Sequence, residues 1–362
     1  MNYRMVTIHE RQQYTADKSE IIDINLDDPI SQLVLTYEPT NGNQAYGDGH
    51  PARCISKIEL IDGADVLFSL SGQECQAADF YHSKNVTPSI ILFTNGMNSE
   101  QIYNINFGRY LYDEMLALNP NKHTNLQLKV TMDINGGGSL VAGGYLTIMG
   151  HVFDEKKISP KGFLMHKEIK SYVLSSASHE YTDLPVDYPY RKLFVRAQRY
   201  GTGPEYQIDT IKLSENVDKK IVLNHSMFQI LRAIASQTPP YREWIIGPGT
   251  TTANYFYCTP TYWPAFAGSL WRSVTTPSGL CFYEGDGGRF KEVQEGAGVN
   301  WQCHVQGWAP HGVVEIPFGK QDSVDDFYDV RKVAKLKLDV KGGSSVGTSQ
   351  TSEIFLQQFR SY

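Results

Sequence analysis

The chain has 362 residues, 41% of them hydrophobic and 20% charged, with a formal net charge of -6. That is an ordinary globular balance, long enough for two or three domains around a sizeable core. An acidic chain with no overall basic face argues against direct genome binding, no apolar run approaches the roughly 18 residues that span a membrane, and no charged-then-apolar leader opens the sequence.

Residues 1–18 (MNYRMVTIHERQQYTADK) are polar, carry Arg4, His9 and Arg11, and have few core-type positions. They read as an extended arm or as a disordered terminus. From Glu20 the pattern turns to strands: Ile22, Ile24 and Leu26 alternate with polar residues, Asp28-Pro29 marks a turn, and Leu33, Leu35 and Tyr37 alternate again. ISKIEL and DVLFSL flank Asp62-Gly63 and predict a hairpin. Ser71 and Glu74 have the capping-box form that opens a helix, expected over about Gly72 to Ser83. Strands follow at Ile90 to Phe93 and Ile102 to Phe107. A short helix is expected over Tyr110 to Leu118 from the spacing of Leu111, Met115 and Leu118. Leu126 to Ile134 alternates without a break, and Tyr145 to Val152 closes the unit.

The same order then recurs. Ile169 to Leu174, Leu193 to Ala197, Ile208 to Leu213 and Ile221 to Leu223 read as strands, Ser226 with Gln229 repeats the capping box, and His225 to Ser236 reads as a helix. Glu315 to Phe318, Leu336 to Val340 and Ile354 to Phe359 finish the chain. IYNINFGR (Ile102 to Arg109) matches VVEIPFGK (Val313 to Lys320), so one β-rich unit is present twice. The expected division is an arm over 1–18, a first unit over 19–153, a linker over 154–164, and a second unit over 165–362 holding an insertion over 237–312. About eight short antiparallel strands per unit predict an all-β chain of two tandem eight-stranded jelly rolls, with short helices and an aromatic-rich insertion in the second.

All five tryptophans, Trp244, Trp263, Trp271, Trp301 and Trp308, lie in that insertion, among tyrosines, phenylalanines, Gly and Pro. Such a cluster is either a ligand platform or a small satellite core. Gly285 to Gly298, Gly-rich and polar, is expected as a tip away from the aromatics. The five cysteines, Cys54, Cys75, Cys258, Cys281 and Cys303, lack C-x-x-C spacing and read as reduced core fillers. There is no P-loop, no nucleotide-binding glycine fingerprint, no nucleophile elbow and no H-E-x-x-H. Asp113-Glu114, Asp154-Glu155 and Asp325-Asp326 read as solvated acidic faces. No catalytic residue, metal ligand or cofactor is expected.

The strands ending in Ile105-Asn106-Phe107 and Ile316-Pro317-Phe318, each followed by an acidic segment and an alternating strand, together with the hairpin-plus-helix at Ile55 and Ile208, resemble the double jelly-roll major capsid proteins of tailless icosahedral viruses and phages, the adenovirus-like lineage. The resemblance runs from about Glu20 to the end. It implies a homotrimer whose six rolls make a pseudo-hexagonal tile of the virion shell, assembled in the host cytoplasm beside neighbouring trimers and other capsid proteins such as a vertex protein. It further implies that the insertion is an outward tower, and that the arm with Arg4, His9 and Arg11 faces a neighbour or the lipids of an internal membrane. No catalytic residue is implied. The reading from another class is a carbohydrate-binding β-sandwich, lectin-like or receptor-binding, using the Trp-rich insertion.

Overall fold

The structure is a computed structural model that describes all residues except 43–48, 86–88, 139–140, 250–252, 271–278, 295–298 and 348–350. Alternation builds the strands: in Leu126–Met132, Ile30–Asn41 and Leu336–Gly342 every second side chain is buried, the period of a pleated strand with one face on a core.

The first unit contains β1 (Tyr3–Tyr14), β2 (Lys18–Asp23), β3 (Ile30–Asn41), β4 (Ile55–Asp62), β5 (Asp65–Leu70), helix α1 (Gly72–Ser83), β6 (Ile90–Leu92), β7 (Gln101–Asn106), β8 (Leu126–Met132) and β9 (Val141–Phe153). The second begins with β10 (Gly162–Val173), β11 (His179–Leu184), β12 (Tyr190–Ala197), the single turn α2 (Pro204–Gln207), β13 (Ile208–Glu215), β14 (Lys220–Ser226) and α3 (Met227–Gln237). The insertion holds β15 (Tyr241–Gly247), β16 (Asn254–Tyr257), β17 (Pro260–Leu270), β18 (Leu280–Asp286), β19 (Arg289–Gln294) and β20 (Trp301–Pro310), after which β21 (Val313–Pro317), β22 (Leu336–Gly342) and β23 (Thr351–Ser361) complete the unit.

The sheets repeat strand for strand. The first unit has the orders β1-β9-β3-β7 and β2-β8-β4-β5, and the second has β10-β23-β12-β21 and β11-β22-β13-β14. With β6 and the insertion set aside, both units read first-eighth-third-sixth and second-seventh-fourth-fifth, the topology of a jelly roll. The two rolls are fused: β5 pairs in parallel with β10 through Phe68 and His166, so one eight-stranded sheet runs through both. Their apolar residues form one continuous core, in which Phe194 stacks on Phe355 at 4.6 Å.

Several expectations are corrected here. Residues 1–18 are not an arm. Tyr3–Tyr14 is the first strand of the first roll, antiparallel to β9, with Val6 and Ile8 packed on the core and Tyr14 buried. Its alternation is blurred in the sequence because register shifts around His9 break the two-residue period. The roll therefore starts at β1 rather than at residue 19.

No helix forms over Tyr110 to Leu118. The Asp113 carboxylate accepts from the Arg109 guanidinium (2.7 and 2.8 Å) and from the backbone N–H groups of Arg109 and Met115, both 3.0 Å. Those bonds compete with a helical ladder, Tyr112 adopts φ 62, and Asp113 is buried, not a solvated acid. Burial alone would raise its carboxyl pKa, but Arg109 and the backbone donors hold it below the ordinary value.

The insertion is not self-contained either. β6, from the first roll, pairs in parallel with β15 and completes the sheet β17-β20-β15-β6. The stretch expected as a polar tip contains β19, the centre of the sheet β16-β19-β18, and Phe290 on it is fully buried. Residues 295–298 of that stretch lie outside the described residues.

Candidate functional site

Buried polar groups converge where the two rolls and the insertion, expected as a tower, meet. Ser71 caps α1, its hydroxyl taking the Glu74 N–H while the Glu74 carboxylate takes the Ser71 N–H at 2.7 Å. This puts ten of the helix's 12 residues in the interior. Several are polar, and a buried polar group is costly unless partnered. Partners come from the other roll and from the tower base. Arg196 donates to Gln73 (2.6 Å) and Gln198 (2.8 Å). His311 bonds to Gln73 and Gln76 at 3.1 and 2.8 Å. His50 sits edge-on to His311 and bonds to Thr259 at 3.1 Å. Thr259 in turn donates through its N–H and its hydroxyl to Glu243, both at 2.7 Å. At the far end of α1, Tyr81 donates to the Val313 carbonyl at 2.8 Å, and Lys192 pairs with Glu315 at 2.6 Å, both nearly fully buried.

Burial sets the electrostatics of this joint. It lowers the His50 imidazole to about 3 and, with His50 and Arg196 alongside, drops His311 well below its ordinary value. It raises the carboxyls of Glu74 and Glu243 to about 7 and brings the Lys192 ammonium down to about 8. Each of these groups is spent on a neighbour inside the protein, so the joint fixes one arrangement of rolls and tower. Among the described residues no group of three or more His, Cys, Asp or Glu is placed to hold a metal ion, and no helix is long and apolar enough to cross a membrane.

The predicted site residues fall elsewhere. Arg4 donates to Asp28 at 2.9 Å and lies 3.5 Å from Asp154. Arg11 forms a bidentate pair with Glu38 (3.0 and 2.8 Å) and covers the Tyr145 ring. His9 bonds to the Tyr14 hydroxyl at 3.2 Å. Both arginines are therefore compensated within the first roll, and they pin β1 down rather than offering a free basic surface.

The tryptophans do not form one cluster. Trp301 is fully buried in a satellite core with Phe256, Phe282 and Phe290, its indole N–H on the Pro248 carbonyl at 3.0 Å. Trp308 packs on the main core and donates to the Thr238 carbonyl. Trp244 and Trp263 are exposed, one beside His304 and the other stacked on Tyr262. Trp271 lies outside the described residues. The aromatic richness of the tower thus goes mainly into holding its two sheets together.

Sequence reasoning missed the joint, because His50, Gln73, Glu243, Thr259 and His311 share no spacing. The capping box at Ser71 was the one local signal pointing to it.

Two rolls of identical strand order, fused through a shared sheet, define the double jelly-roll class. No protein-family model and no curated protein sequence matches the chain. Solved structures do. The chain matches the major capsid protein P2 of bacteriophage PM2 with a TM-score of 0.55 at 11% identity, over 99% of this chain and 98% of that one. It matches the STIV major capsid protein with a TM-score of 0.58 at 11% identity, over 98% and 96%. The PBCV-1 virus capsid matches with a TM-score of 0.55 at 9% identity, over 99% and 94%. At such identities the likeness is one of fold.

Proposed function

We propose that this protein is a structural major capsid protein, three copies of which make a pseudo-hexagonal tile in the shell of an icosahedral virion. The observation that carries the reading is the end-to-end likeness: both rolls, the joint and the tower fall within the span shared with viral capsid proteins, with almost nothing left over on either chain. Two rolls of one topology in each chain supply six similar wedges to a three-fold ring. A joint whose central helix is buried at ten of its 12 residues and bonded to both rolls suits a tile that has to stay rigid. Neighbouring trimers and other capsid proteins are the partners in this reading, and assembly precedes incorporation into the virion. Arg4 and Arg11, being paired internally, lend no support to lipid contact.

Light scattering of the purified protein tests this. A mass three times that of the 40.8 kDa chain is expected, with pseudo-hexagonal particles in electron micrographs. A monomer at micromolar concentration overturns the reading.

A further inference from the structure

The two rolls repeat, but their surroundings do not. In the first roll, β5 is covered: it pairs with β10, and Leu67, Phe68, Ser69 and Leu70 are all buried. The equivalent strand of the second roll, β14, pairs with β13 alone among the described residues and has no buried residue, with Ile221 53% exposed. The helices that follow differ in the same way. α1 is buried at ten of its 12 residues, whereas α3, opened by the same capping box, is buried at four of 11 and leaves Phe228 exposed. Beside α3 and β14 lies a mainly apolar groove of about 380 Å³, walled by Leu223, Ile230, Ala233, Ile234, Ile316 and Pro317 together with five polar residues. At the other end of the chain, β1, the equivalent of β10, pairs among the described residues with β9 alone and leaves Met5 59% exposed.

We infer that the joint between the rolls of one chain is repeated between chains: β1 of one copy lies parallel to β14 of the next, and its Met5 enters the groove beside α3. This rests on the trimer reading above and adds the residues that make the contact.

The register follows from the internal joint. Phe68 and Leu223 each stand three residues before their capping serines, Ser71 and Ser226, and each faces the matching leucine of the preceding strand, Leu60 and Leu213. Met5 pairs with His151, which pairs with Gln32; His166 pairs with Gln357, which pairs with Lys192. Gln32 and Lys192 each stand three residues after a proline, Pro29 and Pro189. Met5 is therefore the equivalent of His166, and Leu223 that of Phe68. Inside one chain His166 pairs with Phe68 and meets its ring edge-on at 5.5 Å. Between chains the same pairing sets Met5 against Leu223, an apolar side chain against an apolar groove, followed by Val6 beside Asn224. Met suits such a seat, being unbranched and adaptable. The joint is head-to-tail, and in the three-fold ring of the trimer reading it recurs three times, covering both the open strand edge and the open face of α3 in every copy.

The test is a cysteine pair, M5C/L223C, made with the exposed Cys281 changed to serine. Neighbouring strands hold Cα atoms within the range a disulfide spans. Under mild oxidant the pair should give covalent dimer and trimer on a non-reducing gel, and neither single variant should. A protein that scatters as a trimer yet forms no bridge, or bridges only within one chain, overturns this joint and leaves the trimer reading standing; a wild-type monomer removes both. Should the double variant not fold, Met5→Asp is read instead in the trimer–monomer equilibrium. It should weaken trimerisation by about tenfold or more, with Met97→Asp, at another exposed methionine, as the control. Equal weakening by the two overturns the inference.

Discussion

At the scale of single residues, the joint behaves as a set of opposed titrations. The folded pKa values of His50, His82, His166 and His311 lie below the ordinary value, chiefly through burial, with His50 and His166 at about 3. A depressed histidine contributes stability that is present above pH 6.5 and is lost as pH falls toward the folded value, because the unfolded chain takes up the proton first. Glu74 and Glu243, raised to about 7, act the other way: their contribution is full below 4.5 and is lost as pH rises through the folded value. Replacing His311 by Gln should therefore shrink the drop in melting temperature between about pH 7 and about pH 4, and Glu243→Gln should enlarge it. Thermal unfolding across pH checks both signs, and a shift in the same direction for both variants contradicts the assignment.

The thiols give a second prediction at this scale. Cys54, Cys75, Cys258 and Cys303 are buried, with Cys54 and Cys303 pushed up to about 12, while Cys281 is exposed. A thiolate-selective reagent should label Cys281 in the native protein and reach the other four only after unfolding. Mass spectrometry of labelled peptides decides it, and rapid native labelling of a second cysteine speaks against the packing described.

At the scale of elements, β1 and β19 are the two stretches whose sequence reads as loose and whose structure is integral. Deleting residues 2–15 removes a strand, exposes the edge of β9 and takes Val6, Ile8 and Tyr14 off the core. Loss of at least about 3 kcal/mol and a marked fall in soluble yield are expected, since strand loss also uncovers a pairing edge. An unchanged melting temperature would return this stretch to the status of an arm. In the tower, Phe290→Ala empties a site lined by Phe256, Phe266, Phe282 and Trp301. It should cost about 3–5 kcal/mol, reported by the fluorescence of buried Trp301. A shift under 1 kcal/mol, of the order of a surface change, would mean that the tower core does not depend on this ring.

At the scale of the whole molecule, the shared sheet and the buried α1 tie the rolls into one body. Separating them would break the β5–β10 pairing, take Arg196 and His311 from Gln73 and His311 from Gln76, and part the Lys192 ammonium from the Tyr81 carbonyl. Such groups are costly to leave unpaired. The rolls should therefore unfold in a single calorimetric transition, with calorimetric and van't Hoff enthalpies that agree. Two resolved transitions would show that each roll folds by itself.

What the sequence determined by itself was local and periodic. The alternation in β8 and β22, the hairpin at Asp62-Gly63 and the capping boxes at Ser71 and Ser226 each lie within a few consecutive residues, and their recurrence in the same order made the duplication and the all-β class legible. Three matters were decided only by the tertiary structure, because each depends on groups far apart in the chain. β1 owes its place to β9, more than a hundred residues away, and not to its own weak pattern. The segment around Asp113 has helical spacing, yet the Tyr112 N–H goes to the Ser31 hydroxyl and Leu118 exchanges backbone bonds with Ile30, so distant groups take the backbone that a helix would use. The aromatic residues of the insertion could have served a surface or a core equally well; packing between two small sheets settled it, with Trp301 and Phe290 inside and Trp244 and Trp263 outside.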